Sequence, residues 1–208
     1  MDGGGRPKAI YTGFVNLFNT PVLLARSKDP DLINWEKFSN NPVISSLPKG
    51  VTETHFRDPY VWREGDRWKM LMGAGMQDGE SAALLYESYD LIRGEYRGTL
   101  FKEQACGSGG MWECPNFFKL GDHYVLLVSL FPDINGVYYY VGDYDGLKFT
   151  PHQQGVLERG PIFYAPQVRQ FDDERMIMFA WLLEGRSERA AEAAGWAGVQ
   201  AIPRTLAL

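Results

Sequence analysis

FRDPYVWREGDRWKML, residues 56–71, decides the fold. It opens on a short word, Phe56-Arg57-Asp58-Pro59, and runs through the apolar stretch Tyr60-Val61-Trp62. It then breaks at the acidic turn Gly65-Asp66 and resumes as an apolar strand from Trp68 to Met72. The same order returns in WECPNFFKLGDHYVLL, residues 112–127, and in FYAPQVRQFDDERMIM, residues 163–178. Aligned on Pro59, Pro115 and Pro166, the copies are spaced by 56 (115 − 59) and 51 (166 − 115) residues. Six residues after each proline comes the turn: Gly65-Asp66, Gly121-Asp122, Asp172-Asp173. Such pairs suit the left-handed or tight backbone of a hairpin.

The stretches before each turn, including Asn116-Phe117-Phe118 and Gln167-Val168-Arg169, read as first strands. The apolar runs after the turns, Tyr124 to Leu130 and Arg175 to Trp181 among them, read as second strands. Ala82 to Tyr86 and Val137 to Val141 read as third strands, and Tyr96 and Phe149 mark fourth ones. Four short strands in a repeat of about 50 residues are the content of a β-propeller blade. A sandwich or jelly roll does not predict the same word, turn and strand order three times. The Ala/Glu/Arg-rich run from Glu184 to Ala194 fits either a short helix or a surface loop ending at Gly195.

The beginning of the chain joins this repeat in mid-unit. Gly4-Gly5-Arg6-Pro7-Lys8-Ala9-Ile10-Tyr11 aligns with the turn and second strand, and Leu23 to Ser27 aligns with Leu84 to Ser88. Trp35 takes the late aromatic position. The expectation is an all-β, partial propeller of about three and a half four-stranded blades. Its first unit would lack a first strand unless Val199 to Leu208 returns to supply one.

The 208 residues are 45% hydrophobic and 14% aromatic, enough for a real core. The net charge of −5 is spread over interspersed signs, which argues against nucleic acid or an anionic membrane as partner. No stretch is apolar enough over a helix's length to cross a bilayer. Residues 1–7 lack the apolar centre of a signal peptide, so the chain as written is expected to stay in the cytoplasm. Cys106 and Cys114 are expected as free thiols. His55, His123 and His152 show no ligand spacing, so neither a metal nor a cofactor is expected.

Two of the words carry a carboxylate, Asp58 and Glu113, 55 positions apart (113 − 58). Two carboxylates in one pocket are the minimal equipment for glycosidic cleavage. The first strand of a blade faces the propeller channel, so all three words are expected to converge at one end of the axis. Trp62, Trp112 and Trp181 would supply the aromatic walls on which sugar rings stack. Singly, an Arg-Asp-Pro is an ordinary strand-initiating turn with a local ion pair. It is the recurrence in register, flanked by aromatics, that points to chemistry.

Phe56-Arg57-Asp58-Pro59 and Trp112-Glu113-Cys114-Pro115 resemble two of the three signature motifs of glycoside hydrolase family 32, the invertase, levanase and sucrose-6-phosphate hydrolase group. Collinear segments agree: Ala9-Ile10-Tyr11-Thr12-Gly13, Asn34-Trp35-Glu36-Lys37 with Asn41-Pro42-Val43-Ile44, Phe163-Tyr164-Ala165-Pro166-Gln167, and Gly195-Trp196-Ala197-Gly198 with Ile202-Pro203-Arg204. The resemblance implies a five-bladed propeller and retaining cleavage of a terminal fructofuranosyl bond in sucrose or a fructan. It implies Glu113 as acid/base and Asp58 as transition-state stabiliser, with Arg57 and Tyr164 lining the fructose subsite; the shared pocket adds Cys114, Trp112 and Trp181 as expected substrate contacts. Glu113 then has to carry its proton near neutral pH, which calls for burial and neighbouring negative charge. Asp58 has to stay ionised where positive charge develops on the sugar.

The family's nucleophile, an Asp in a Trp-Met-Asn-Asp-Pro-Asn-Gly-like motif, has no counterpart here. Asp29-Pro30, the other Asp-Pro, sits in a Lys28-Asp29-Pro30-Asp31 turn at the wrong place in the repeat. Nor is there a counterpart of the family's Phe-Ser-Gly-Ser strand or of its C-terminal β-sandwich. Residues 1–208 are thus expected to form a single truncated propeller catalytic domain with little or no hydrolysis of its own. Retaining cleavage needs a nucleophile about 5–5.5 Å from the acid/base. A non-catalytic fructan- or sugar-binding module is the alternative. A five-bladed arabinofuranosidase is a weaker one, against which Glu113-Cys114 speaks. The expected partner is a small or oligomeric fructoside, and an open blade edge is expected to favour homo-oligomers.

Overall fold

The structure is a computed structural model. It describes all residues except 1–4, 17–18, 105–109, 132–135, 159 and 161, so Gly4 and Cys106 lie outside the described residues. The chain packs as two units, Met1–Met111 and Trp112–Leu208.

The first unit holds two antiparallel sheets. One is three-stranded: β1 (Lys8–Thr12), β2 (Val22–Ser27) and β3 (Trp35–Lys37), in that order. The Asn41 side chain extends it by bonding the Leu24 backbone on both sides. Its Oδ1 accepts from the Leu24 N–H at 2.8 Å and its Nδ2 donates to the Leu24 carbonyl at 2.9 Å. The second sheet is a four-stranded meander, β4 (Val51–Glu64), β5 (Arg67–Met76), β6 (Glu80–Ser88) and β7 (Glu95–Gln104). Gly65 turns β4 into β5 with φ of 60°, the left-handed backbone that its missing Cβ allows.

Burial within this sheet explains the sequence pattern. Strands β5 and β6 are covered on both faces and read as unbroken apolar runs, such as Met70-Leu71-Met72 and Ala82-Ala83-Leu84-Leu85. β7, on the outside of the order, is exposed at half its residues and mixes charges with aromatics. The core of the unit joins both sheets, with Val22 and Ile44 packed among Phe56, Met70, Met72, Leu84 and Tyr86.

The second unit repeats the plan. β8 (Met111–Leu120), β9 (His123–Phe131), β10 (Val137–Tyr144) and β11 (Phe149–Val156) form a four-stranded sheet in consecutive order. In the last sheet β12 (Phe163–Gln170) pairs with β13 (Met176–Leu182), and β13 pairs in turn with two short pieces, β14 (Val199–Gln200) and β15 (Arg204–Leu206). The pairing slips by one residue between these pieces, from Trp181↔Gln200 (sum 381) to Met178↔Arg204 (sum 382). Pro203 lies at the slip and has no N–H to give the ladder.

Among the described residues, three sheets of four strands and one of three match the expected blade content. The possibility that residues 199–208 complete the first sheet is corrected: the strands of this run pair with β13 in the second unit. The helix-or-loop alternative resolves as a seven-residue helix, α1 (Glu188–Ala194). Ser187 caps its start through a bond from the Ala190 N–H, and left-handed Gly195 closes its end.

Candidate active site

The three words share one backbone device. Asp58, Cys114 and Ala165, each immediately before a proline, have φ of 64°, 47° and 49°. Two of these residues sit at recorded breaks in the ladder, between Arg57 and Tyr60 in β4 and between Tyr164 and Gln167 in β12. Each break is a bulge that turns the strand and re-aims its side chains. The words therefore lie inside the first strand of each sheet rather than at its start.

In the first unit, Arg57 and Asp58 are half-buried. The bulge frees the Asp58 N–H from the ladder, and it donates to Thr12 Oγ1 at the end of β1, 2.9 Å away. Thr20 Oγ1 donates to the Phe56 carbonyl at 2.8 Å in a buried contact. Two hydroxyls, one at the end of β1 and one from the segment leading into β2, thus fix the backbone on which Asp58 rides. Tyr60 and Trp62 pack together with ring centroids 6.1 Å apart.

In the second unit, Glu113 and Cys114 are half-buried and Cys114 is not in a disulfide. Tyr164 is buried, and its hydroxyl lies 2.5 Å from Glu113 Oε2 and 2.9 Å from the Leu130 carbonyl, within donating distance of both. A phenol has one hydrogen. That hydrogen goes to one of the two oxygens or is shared between them. The Ala165 N–H donates to Ser129 Oγ at 3.1 Å, the counterpart of the Thr12 contact on Asp58. Behind the site, fully buried Asn116 joins β8 to β12. Its Nδ2 donates to the Cys114 and Pro166 carbonyls at 2.9 and 2.8 Å, and its Oδ1 accepts from the Val168 N–H at 2.9 Å.

Trp181 stands directly across the ladder from Tyr164 and is 47% exposed. It lines an open groove of about 430 Å³ with Ala165, Gln167, Phe179 and residues 197–200. Its indole Nε1 lies where a Cβ on Gly198 would fall, 2.6 Å away, so this close approach needs glycine there. The Gly198 N–H donates to Glu184 Oε2 at 2.9 Å, and Arg186 forks onto the same carboxylate. Arg186 stacks on Trp196, 3.9 Å from its centroid, and donates to the Trp196 carbonyl. The Gly195-Trp196-Ala197-Gly198 segment is thereby pinned against β13.

The expectation that Trp112 walls the pocket needs correction. It is 1% exposed and packed on Tyr140 at 5.6 Å, so its ring faces are spent on the core. Sequence reading missed Thr12, Ser129 and Asn116 as supports. A lone polar residue inside an apolar strand, as Ser129 is within Leu126 to Phe131, was the available signal. The histidines also behave differently from their chain spacing. His123 and His152 come together around Asp143 on neighbouring strands, where separations along the chain say nothing.

Known proteins resemble this chain over nearly its whole length. The family model for the glycosyl hydrolases family 32 N-terminal domain matches residues 1–208. Sucrose-6-phosphate hydrolase of Escherichia coli is 34% identical over 225 aligned positions, covering 99% of this chain and 46% of the relative. The cell wall isozyme of β-fructofuranosidase from Zea mays is 31% identical, covering 97% and 39%. Among solved structures, fructan 1-exohydrolase IIa of Cichorium intybus, in a variant complexed with 1-kestose, superposes with a TM-score of 0.85 at 27% identity. That match covers 99% of this chain and 43% of the other. The Bombyx mori β-fructofuranosidase gives 0.82 at 29%, covering 97% and 46%. The chain spans less than half the length of these relatives. It belongs to glycosyl hydrolase family 32, within that family's N-terminal β-propeller domain.

Proposed function

We propose that this chain is the larger part of the catalytic propeller of a retaining β-fructofuranosidase acting on sucrose or a fructan. Glu113 is its acid/base and Asp58 the carboxylate that steadies the oxocarbenium-like sugar. Arg57 and Tyr164 line the fructose subsite, and Trp181 offers an exposed aromatic face to the sugar. The relatives' names support the substrate class, since they act on sucrose 6-phosphate, β-fructofuranosides and fructans.

The observation that carries the reading is the 2.5 Å contact between the Tyr164 hydroxyl and Glu113 Oε2. With the Leu130 carbonyl on its other side, the hydroxyl fixes the direction of that carboxyl. A general acid has to be held within reach of the oxygen it protonates. Once Glu113 has given its proton to the leaving oxygen, Tyr164 is placed to donate to the carboxylate.

A non-catalytic sugar-binding role is the second reading. It is favoured by one observation: these 208 residues hold no counterpart of the family's nucleophile motif. One experiment separates the two. The polypeptide is incubated with sucrose, inulin and levan, alone and preceded by an N-terminal segment carrying an Asn-Asp-Pro-Asn motif read in frame from the coding DNA upstream of Met1. Little or no free fructose from the chain alone, and ready release from the extended protein, supports the enzyme. Glu113→Gln should then lower kcat by about 10²–10⁴-fold. Turnover unaffected by Glu113→Gln refutes the assignment. Sugar binding without turnover in the extended protein establishes the second reading instead.

A further inference from the structure

Three neighbouring strands of the sheet β8–β11 carry a cluster that the glycosidase chemistry does not use. His123 begins β9, Asp143 lies in β10 and His152 in β11. His152 Nε2 is 2.8 Å from Asp143 Oδ2, and His123 Nδ1 is 3.6 Å from Asp143 Oδ1. The two imidazoles meet edge to face with centroids 6.2 Å apart. One ligand atom from each of the three residues falls within 4.8 Å of the others.

A bulge builds this cluster. β10 and β11 pair Val141 with Gln153, then Gly142 with Pro151, so His152 is the extra residue. In unbroken register His152 would face Gly142 and point to the sheet face opposite Asp143. The bulge brings it to the Asp143 side. β9 needs no such device. Gly142 pairs with Tyr124, and the next step of that ladder sets Asp143 across from His123. The bulge in turn requires Gly142, because a Cβ there would lie 2.1 Å from the Thr150 carbonyl oxygen.

We propose that His123, Asp143 and His152 form a surface site for a zinc-class divalent ion that ties β9, β10 and β11 together. Two imidazoles and one carboxylate suit Zn²⁺, Co²⁺, Ni²⁺ and Cu²⁺, whereas Mg²⁺ and Ca²⁺ prefer all-oxygen shells. Ligands about 2.0–2.1 Å from a tetrahedral ion sit roughly 3.3 Å apart. The observed 2.8 and 3.6 Å contacts straddle that separation. All three side chains are exposed, so the remaining closure needs only side-chain rotation, with water as fourth ligand.

The test uses the untagged 208-residue protein, freed of metal by chelation. Equilibrium dialysis against ZnCl₂ should find one equivalent bound at neutral pH, and CoCl₂ should give the visible absorption of a tetrahedral ion. His123→Ala, His152→Ala and Asp143→Asn should each weaken binding by at least about tenfold. His55→Ala, in the other unit, should leave it unchanged. Zinc at a hundredfold excess over Kd should raise the melting temperature by about 5–10 °C, and by less in the three variants. Because the substituted residues are exposed, their metal-free melting curves should match the parent's, which separates lost binding from lost folding. Failure of the parent to bind near one equivalent, or equal binding by the His123 and His152 variants, overturns the proposal.

Discussion

Replacing Asn116 with Ala tests whether the second unit holds its acid/base word in place through one buried amide. The side chain is fully buried and makes three bonds, two donated and one accepted, that join the left-handed backbone at Cys114 to β12. Alanine leaves the Val168 N–H with its side-chain acceptor removed in a buried setting, a cost of about 1–3 kcal/mol. The Cys114 and Pro166 carbonyls each lose a donor, about 0.5–1.5 kcal/mol apiece. Together these come to about 3 kcal/mol or somewhat more. For a chain of this size that lowers the melting temperature by roughly 6–12 °C. Urea titration followed by tryptophan fluorescence and by circular dichroism measures the loss at constant temperature. Asn116→Asp keeps the acceptor but turns an oxygen on two carbonyls, so it should be no better than alanine. An Asn116→Ala protein within about 1 kcal/mol of the parent, or an Asn116→Asp protein of parental stability, refutes the three-bond account.

Tyr164→Phe should destabilise the chain by about 1–3 kcal/mol, since both the Leu130 carbonyl and Glu113 Oε2 lose a partner. A neutral result in denaturant titration would show that the hydroxyl is not bonded as described. Glu184 is held well below the ordinary glutamate range, first by the Arg186 fork and then by the Gly198 and Arg186 N–H groups. A folded-state value below the unfolded one means a stabilisation that is full above about pH 4.3 and fades as pH falls further. Glu184→Gln should therefore be less stable than the parent at pH 7, with the gap narrowing in acid. A gap that widens in acid, read from urea midpoints across pH, would contradict the sign.

The repeat was legible because strand, turn and proline each leave a mark on the sequence. Gly65-Asp66 and Gly121-Asp122 announced their hairpins, and Leu84-Leu85 and Leu126-Leu127 announced strands covered on both faces. The candidate site was legible only in its side chains. Asp58, Glu113 and Tyr164 stood in words, but the groups that hold them, the Thr12 and Ser129 hydroxyls and the Leu130 carbonyl, come from other strands. Contacts of that kind depend on register, and a one-residue bulge changes register without changing composition. Trp112 misled for a related reason. An aromatic beside a carboxylate reads as a sugar platform until the sheet shows which face of the strand it occupies.

The left-handed residue before each proline separates scaffold from chemistry. Asp58, Cys114 and Ala165 differ in every chemical respect, and all three take positive φ. The left-handed residue therefore belongs to the architecture, and the carboxylates are carried on it or beside it. Ala165 tests this cleanly, because its methyl group does no chemistry in the proposed function. A left-handed alanine costs about 1–2 kcal/mol, which glycine would relieve. Glycine also loosens the unfolded chain, which takes back about 0.4–1 kcal/mol. Ala165→Gly should thus raise stability by up to about 1.6 kcal/mol, or up to about 3–6 °C in melting temperature. It should leave the Tyr164–Glu113 contact in place, so the extended protein should keep its turnover. A clear fall in melting temperature would mean that the methyl group supplies packing worth more than the strain. The bulge would then be held by side-chain contacts rather than imposed by the ladder and the Ser129 hydroxyl that receives its N–H.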